Sequence, residues 1–130
     1  MSVSITALYA GLLALLFIAL AARISLLRRK HRVGIGSGGN QELALAVRVH
    51  ANTAEHVPLA LILLLIAELQ GLSGWSLHLA GSALFLGRVL HAVGLGSSAG
   101  LSAGRFLGTA LTWTVILVLG GMLIVHSVFA

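Results

Sequence analysis

The segment RVHANTAEHVP, Arg48 to Pro58, interrupts a chain that is otherwise almost free of charge. Hydrophobic residues make up 58% of the 130 residues, charged residues make up 8%, and the mean hydropathy is +1.07. This composition excludes an ordinary soluble domain and indicates an integral membrane protein. The segment therefore places Arg, Asn, Glu and two His where lipid would otherwise surround the chain.

Apolar runs on both sides of this segment predict membrane-spanning helices, because a helix needs about 20 mostly apolar residues to cross a bilayer. The sequence predicts an all-α, four-helix membrane bundle that forms one domain over residues 1–130. The four expected spans cover about residues 3–27, 42–69, 76–95 and 105–127.

Basic residues are concentrated in one place: five of the eight Lys and Arg lie between Arg23 and Arg32. Such a local cluster favours anionic lipid headgroups as partners over nucleic acid. Arg105 lies near the third connection, whereas the loop around Trp75 has no basic residue. The positive-inside rule therefore predicts cytoplasmic first and third loops, with both termini outside.

Three side chains of the opening segment share one face of the second predicted helix. At about 100° per residue, Arg48, Asn52 and Glu55 fall within about 60° of one another, and His56 lies at the margin. We call these four residues the polar row. A charge at the bilayer centre costs at least about 2.5–3.5 kcal/mol on insertion scales, so the row should face the bundle interior or a wet cavity.

Three further residues bear on the surroundings of the polar row. Arg88, in the third span, is the expected partner of the charges in the polar row. Pro58 has no N–H for the carbonyl of Ala54, which predicts a kink and an open space beside the row. His50 lies roughly opposite Arg48 on the helical wheel and should face a different helix or subunit.

The spacing Arg-x3-Asn-x2-Glu-x2-Pro, together with GRVLHAVG in the third span, resembles the family of membrane-associated proteins in eicosanoid and glutathione metabolism (MAPEG). This family includes microsomal glutathione transferases, leukotriene-C synthase and microsomal prostaglandin-E synthase. The resemblance covers nearly the whole chain and is strongest to small bacterial inner-membrane members. It implies a location in the bacterial inner membrane and a homotrimer with glutathione bound between neighbouring subunits, near the cytoplasmic face.

Position by position, the resemblance assigns glutathione binding to six residues: Arg48, Asn52, Glu55, His56, Arg88 and His91. His56 and His91 stand where family members often have Tyr. Arg105 corresponds to the Arg proposed to stabilise the glutathione thiolate. The aromatic residues that commonly line the family's cleft are missing, and Leu95 occupies the position seven after Arg88. Binding is therefore better supported than turnover.

The resemblance implies a membrane-embedded glutathione-binding enzyme with transferase or peroxidase-type activity toward lipophilic electrophiles. Glutathione is the cosubstrate, and no metal is expected, since the chain has no Cys and its six His are scattered. The carboxylates, ammonium and amides of glutathione match Arg, Glu and Asn side chains. Two other classes stay open: a small proton-coupled multidrug exporter that uses Glu55, and a non-catalytic membrane assembly protein.

Overall fold

The computed structural model describes residues 2–97 and 103–130. The described chain folds into four long helices: α1 (Ser4–His31), α2 (Gln41–Leu69), α3 (Gly74–Ser97) and α4 (Ala103–Phe129). Each contains a segment long and apolar enough to cross a membrane. The expected all-α, four-helix architecture with four candidate spans is therefore confirmed.

The helices are arranged around a central pair. Helices α2 and α3 pack against each other, and each of them contacts both α1 and α4. Among the described residues no Cα atom of α1 lies within 8 Å of a Cα atom of α4, so the central pair separates their backbones. The main core is apolar and consists of Tyr9, Leu13, Ala60, Leu64, Ala67, Leu77, Leu84, Val115 and Leu119.

Glycines let α3 and α4 approach closely along a line that we call the glycine seam, formed by Gly87, Gly104 and Gly108. A Cβ atom on Gly108 would collide with the carbonyl oxygen of Gly87 and with the backbone of His91. A Cβ atom on Gly104 would lie 3.0 Å from the carbonyl oxygen of Leu90. Small residues permit such backbone contact between membrane helices. The seam fixes the position of α3 relative to α4, and with it the side chains beside His91.

Polar side chains secure the helix ends at the first loop. The carbonyl of Arg28 accepts from the N–H of Val33, and the Arg28 side chain donates to the carbonyl of Gly36 at 2.8 Å. Arg32 ends α1 in the left-handed region, with φ of 55°. The side chain of Asn40 then accepts from the N–H of Leu43 at 2.9 Å and caps α2. An Asn at this position satisfies a helix N–H that would otherwise have no partner.

The opposite end of the bundle is tied by Glu68, near the end of α2. Its two carboxylate oxygens accept from the backbone N–H groups of Ile5 at 3.0 Å and Thr6 at 2.6 Å. A carboxylate at this place satisfies the first turn of α1 and complements the partial positive charge of that helix end. Glu68 thus links the start of α1 to the end of α2.

Candidate functional site

Two members of the polar row form an ion pair on the outside of the four-helix unit. Nη1 of Arg48 lies 3.2 Å from Oε1 of Glu55, and 53% of each side chain is exposed. At a rise of about 1.5 Å per residue, Glu55 lies about 21 Å along α2 from Gln41, near the middle of the helix. The charged pair of the row therefore does not turn into the interior of the single chain. The expectation that Arg88 pairs with Glu55 was wrong, because Arg48 holds that carboxylate.

Arg88 instead lies inside the bundle, with 1% of its surface exposed. Its guanidinium donates to the side-chain oxygen of Asn52 at 2.6 Å, to Thr53 at 3.3 Å and to Thr112 at 3.4 Å. Within residues 2–97 and 103–130 no carboxylate pairs with it, and its Nε atom has no partner. A buried cation is tolerated only when hydrogen bonds replace its lost hydration. Arg88 thus joins α2, α3 and α4 and fixes the side chain of Asn52.

His91 lies one turn beyond Arg88 and is also buried, with 2% of its surface exposed. Its Nδ1 atom is 3.3 Å from a terminal nitrogen of Arg88. Because guanidinium nitrogens only donate, this imidazole nitrogen acts as the acceptor. Arg105, the third residue of α4, follows Gly104, whose backbone packs against Leu90, the residue before His91.

The predicted residues thus fall into two layers. Arg48 and Glu55 form an open ionic layer, whereas Arg88 and His91 form a buried one. Asn52 connects them, since its side-chain oxygen is held by Arg88 while its position in sequence places it on the flank of the ionic pair. The structure does not bring Arg48 and Arg88 together as two cations facing one pocket.

His56, the last member of the polar row, binds α4 through a residue that the sequence reasoning missed. Nε1 of Trp113 donates to Nε2 of His56 at 3.2 Å. The other ring nitrogen of His56 therefore carries the proton and donates to the carbonyl of Asn52 at 2.8 Å. One sequence signal pointed to Trp113: tryptophans concentrate at membrane interfaces, and this one lies well inside a span.

An open space does exist beside Pro58, but it lies between α1 and α2. This groove of about 390 Å³ is almost entirely apolar, and its lining includes Phe17, Ala54 and Pro58. His50 contacts the same helix α1, with its ring centroid 4.4 Å from that of Phe17. The expectation that His50 faces a different helix is confirmed. The Pro58 groove and the polar row therefore open on different sides of α2.

Tyr9 belongs to a separate cluster near the far end of the bundle. Its hydroxyl lies 2.9 Å from Nδ1 of His78 and 3.0 Å from the hydroxyl of Ser82. Its ring packs directly against Gly81, where a Cβ atom would not fit. Tyr9 thus takes no part in the polar row. In the described ranges no group of three or more His, Asp or Glu side chains could hold a metal ion.

Comparisons with known proteins agree with this architecture. The model of the MAPEG family matches residues 6–125. The inner membrane protein YecN of Escherichia coli K12 is 36% identical over 115 residues, which cover 88% of this chain and 86% of that protein. The YecN protein of Escherichia coli O6:H1 gives the same identity and coverage.

Proposed function

The chain belongs to the MAPEG family, and from this premise we propose that it binds glutathione on the open face of α2 and transfers it to lipophilic electrophiles. The protein carries four membrane spans by length and composition. Its similarity to an inner membrane protein supports the same location for this chain. We further propose that both termini lie outside, with the first and third loops in the cytoplasm.

The exposed ion pair between Arg48 and Glu55 is the observation that carries this proposal. Each of the two side chains is 53% exposed although the pair lies near the middle of a candidate span. Charges left against hydrocarbon at that depth are costly, by about 2.5–3.5 kcal/mol each even on insertion scales. Lipid is therefore the least favourable surrounding, and a neighbouring subunit, a polar ligand or both must cover the pair.

Glutathione offers the complementary groups. Its γ-glutamyl end carries an α-carboxylate and an ammonium on the same carbon, and its glycine end carries a second carboxylate. Arg48 can exchange Glu55 for a carboxylate, while Glu55 accepts from the ammonium. Asn52 uses its oxygen for Arg88, which leaves its amide N–H groups to donate to the ligand. A neutral or singly charged ligand would satisfy only part of this set.

The buried layer has a supporting role in this proposal. Arg88 and His91 are almost fully covered, so they act on the ligand through Asn52 and through the position of α3. Arg105, close to His91 at the start of α4, is the cation we assign to the glutathione sulfur. A nearby cation stabilises the thiolate, which is the nucleophile that attacks an electrophile dissolved in the bilayer.

In a homotrimer, a neighbouring subunit would cover the exposed pair of Arg48 and Glu55. One face of helix α2 is exposed over most of its length. The exposed residues on this face are Ala44, Arg48, Glu55, Leu59, Ile62, Ile66 and Leu69. These positions recur at intervals of three, four and seven residues and so form one continuous stripe. We propose that neighbouring copies pack on this stripe and that glutathione lies between them, as the family resemblance implies.

Glutathione binding is tested first, by the melting temperature of the detergent-solubilised protein with and without millimolar ligand. We expect stabilisation that falls strongly in Arg48→Ala and Glu55→Gln, because a hydrogen bond to a charged group contributes about 1.5–3 kcal/mol, or about ten- to hundredfold in Kd. Arg29→Ala and Glu42→Gln are the matched controls, since both residues are exposed and lie outside the polar row. No stabilisation of the unaltered protein would refute the proposal.

Turnover is a separate measurement. Conjugation of glutathione to an apolar electrophile should be detectable in the unaltered protein and should fall further in Arg105→Ala than glutathione binding does. This pattern is expected when a cation acts mainly on the thiolate. Binding without conjugation would restrict the proposed function to a glutathione-binding membrane protein.

A further inference from the structure

Trp113 lies near the ionic pair. Its ring is held by one hydrogen bond and is otherwise mostly exposed. Its indole nitrogen donates to His56, the residue that follows Glu55, and 61% of its surface is exposed. Tryptophan in a span would ordinarily lie near a membrane interface, where its N–H meets water. Here the N–H is satisfied within the chain, which leaves the ring face available to another group at the depth of Glu55.

The position of Trp113 on α4 directs this ring toward the open face of α2. Arg105, Thr109 and Trp113 follow one another at intervals of four residues and so share one flank of the helix. The hydrogen bond from Trp113 to His56 places this flank against the polar row. A ligand held by Arg48 and Glu55 would therefore have a flat apolar surface at its side.

We propose that Trp113 forms the wall that receives the group attached to the sulfur of glutathione, and that the site thereby favours planar aromatic acceptors over alkyl ones. This inference rests on the proposed function. Aromatic rings gain from offset stacking beyond the area they bury. The indole is already held by His56, so little further ordering is needed when a ring stacks on it. His56 is a positioning residue in this scheme.

The contact between His56 and Trp113 requires one protonation state. An indole only donates, so Nε2 of His56 must be unprotonated while its Nδ1–H is given to Asn52. A second proton on the imidazole would remove the acceptor and release the indole.

The preference is measured by binding, without a need for turnover. Two probes share the glutathione part and differ in the sulfur substituent: S-(2,4-dinitrophenyl)glutathione and S-hexylglutathione. We expect Trp113→Leu to reduce the preference for the aromatic probe by about two- to tenfold, the range that stacking provides. Trp75→Phe is the matched control, since Trp75 is exposed at the start of α3. Binding of unsubstituted glutathione should be the same in all three proteins and reports that each is folded.

The role of His56 is tested by two replacements. His56→Gln retains an oxygen that accepts from the indole and should keep the preference, whereas His56→Leu should lose it. An unchanged preference in Trp113→Leu, with glutathione still bound, would overturn this inference alone. Failure of the unaltered protein to bind glutathione would overturn the proposed function as well.

Discussion

Replacing Gly108 by Ala should break the glycine seam and, with it, the buried layer of the site. The added Cβ atom would meet the carbonyl oxygen of Gly87 and the backbone nitrogen of His91. Both obstacles are backbone atoms of α3, so no side chain can rotate away and the two helices must separate. Overpacking of this kind typically costs about 1–3 kcal/mol. The gain in helix propensity from Gly to Ala, at most about 1 kcal/mol, does not offset the upper part of that range.

Gly120 is the matched control, because it lies in the same helix and an added Cβ atom there meets nothing within 4 Å. Unfolding in mixed micelles, followed by helical circular dichroism, should show Gly108→Ala to be less stable than Gly120→Ala. Glutathione binding should weaken only in Gly108→Ala, since a shift of His91 moves Arg88 and its partner Asn52. Equal stability and equal binding in both variants would refute the role assigned to the seam.

Three other substitutions test single contacts. Glu68→Gln should lower the free energy of unfolding by about 1 kcal/mol, measured by the same unfolding assay, because the first-turn amides of α1 lose a charged acceptor. Arg88→Met should lower the free energy of unfolding by about 1–3 kcal/mol, because the buried acceptor on His91 and the side-chain oxygen of Asn52 lose their donor, and it should weaken glutathione binding by freeing Asn52; unchanged stability with intact binding would contradict this. Tyr9→Phe should cost about 1 kcal/mol of stability through its lost bond to His78 and leave glutathione binding unaffected.

The sequence predicted the helices and the composition of the polar row because both depend on local properties. Apolar runs determine where spans lie, and the helical repeat determines that Arg48 and Glu55 share a face. Periodicity does not say which neighbour that face meets. Two of the four residues of the row, Arg48 and Glu55, lie on the exposed face of α2. The opposite face of this helix is the buried one and carries Leu43, Val49 and Leu64.

The misassigned partner of Glu55 has the same origin. Arg48 lies seven positions earlier on the same helix face, and a contact at that spacing needs no tertiary information. A deep carboxylate nonetheless favours an interhelical pair, which the sequence offers at Arg88. In the structure Arg88 follows Gly87, where α3 and α4 approach closely, and it donates to Thr112 of α4. The only sequence signal at Trp113 is a tryptophan far from the expected membrane interface, which does not identify His56 as its partner.

The ion pair also bears on the three function classes that the sequence left open. An exporter that exchanges a proton for a cationic drug at Glu55 would have to break the contact with Arg48, 3.2 Å away, in every cycle. A purely structural role would have a neighbouring subunit alone cover the exposed pair, so the glutathione-binding measurement decides between this class and a ligand-binding one. The zwitterion-binding role that we propose uses both charges of the pair, because Arg48 and Glu55 neutralise each other and can each be exchanged for the opposite charge of a ligand.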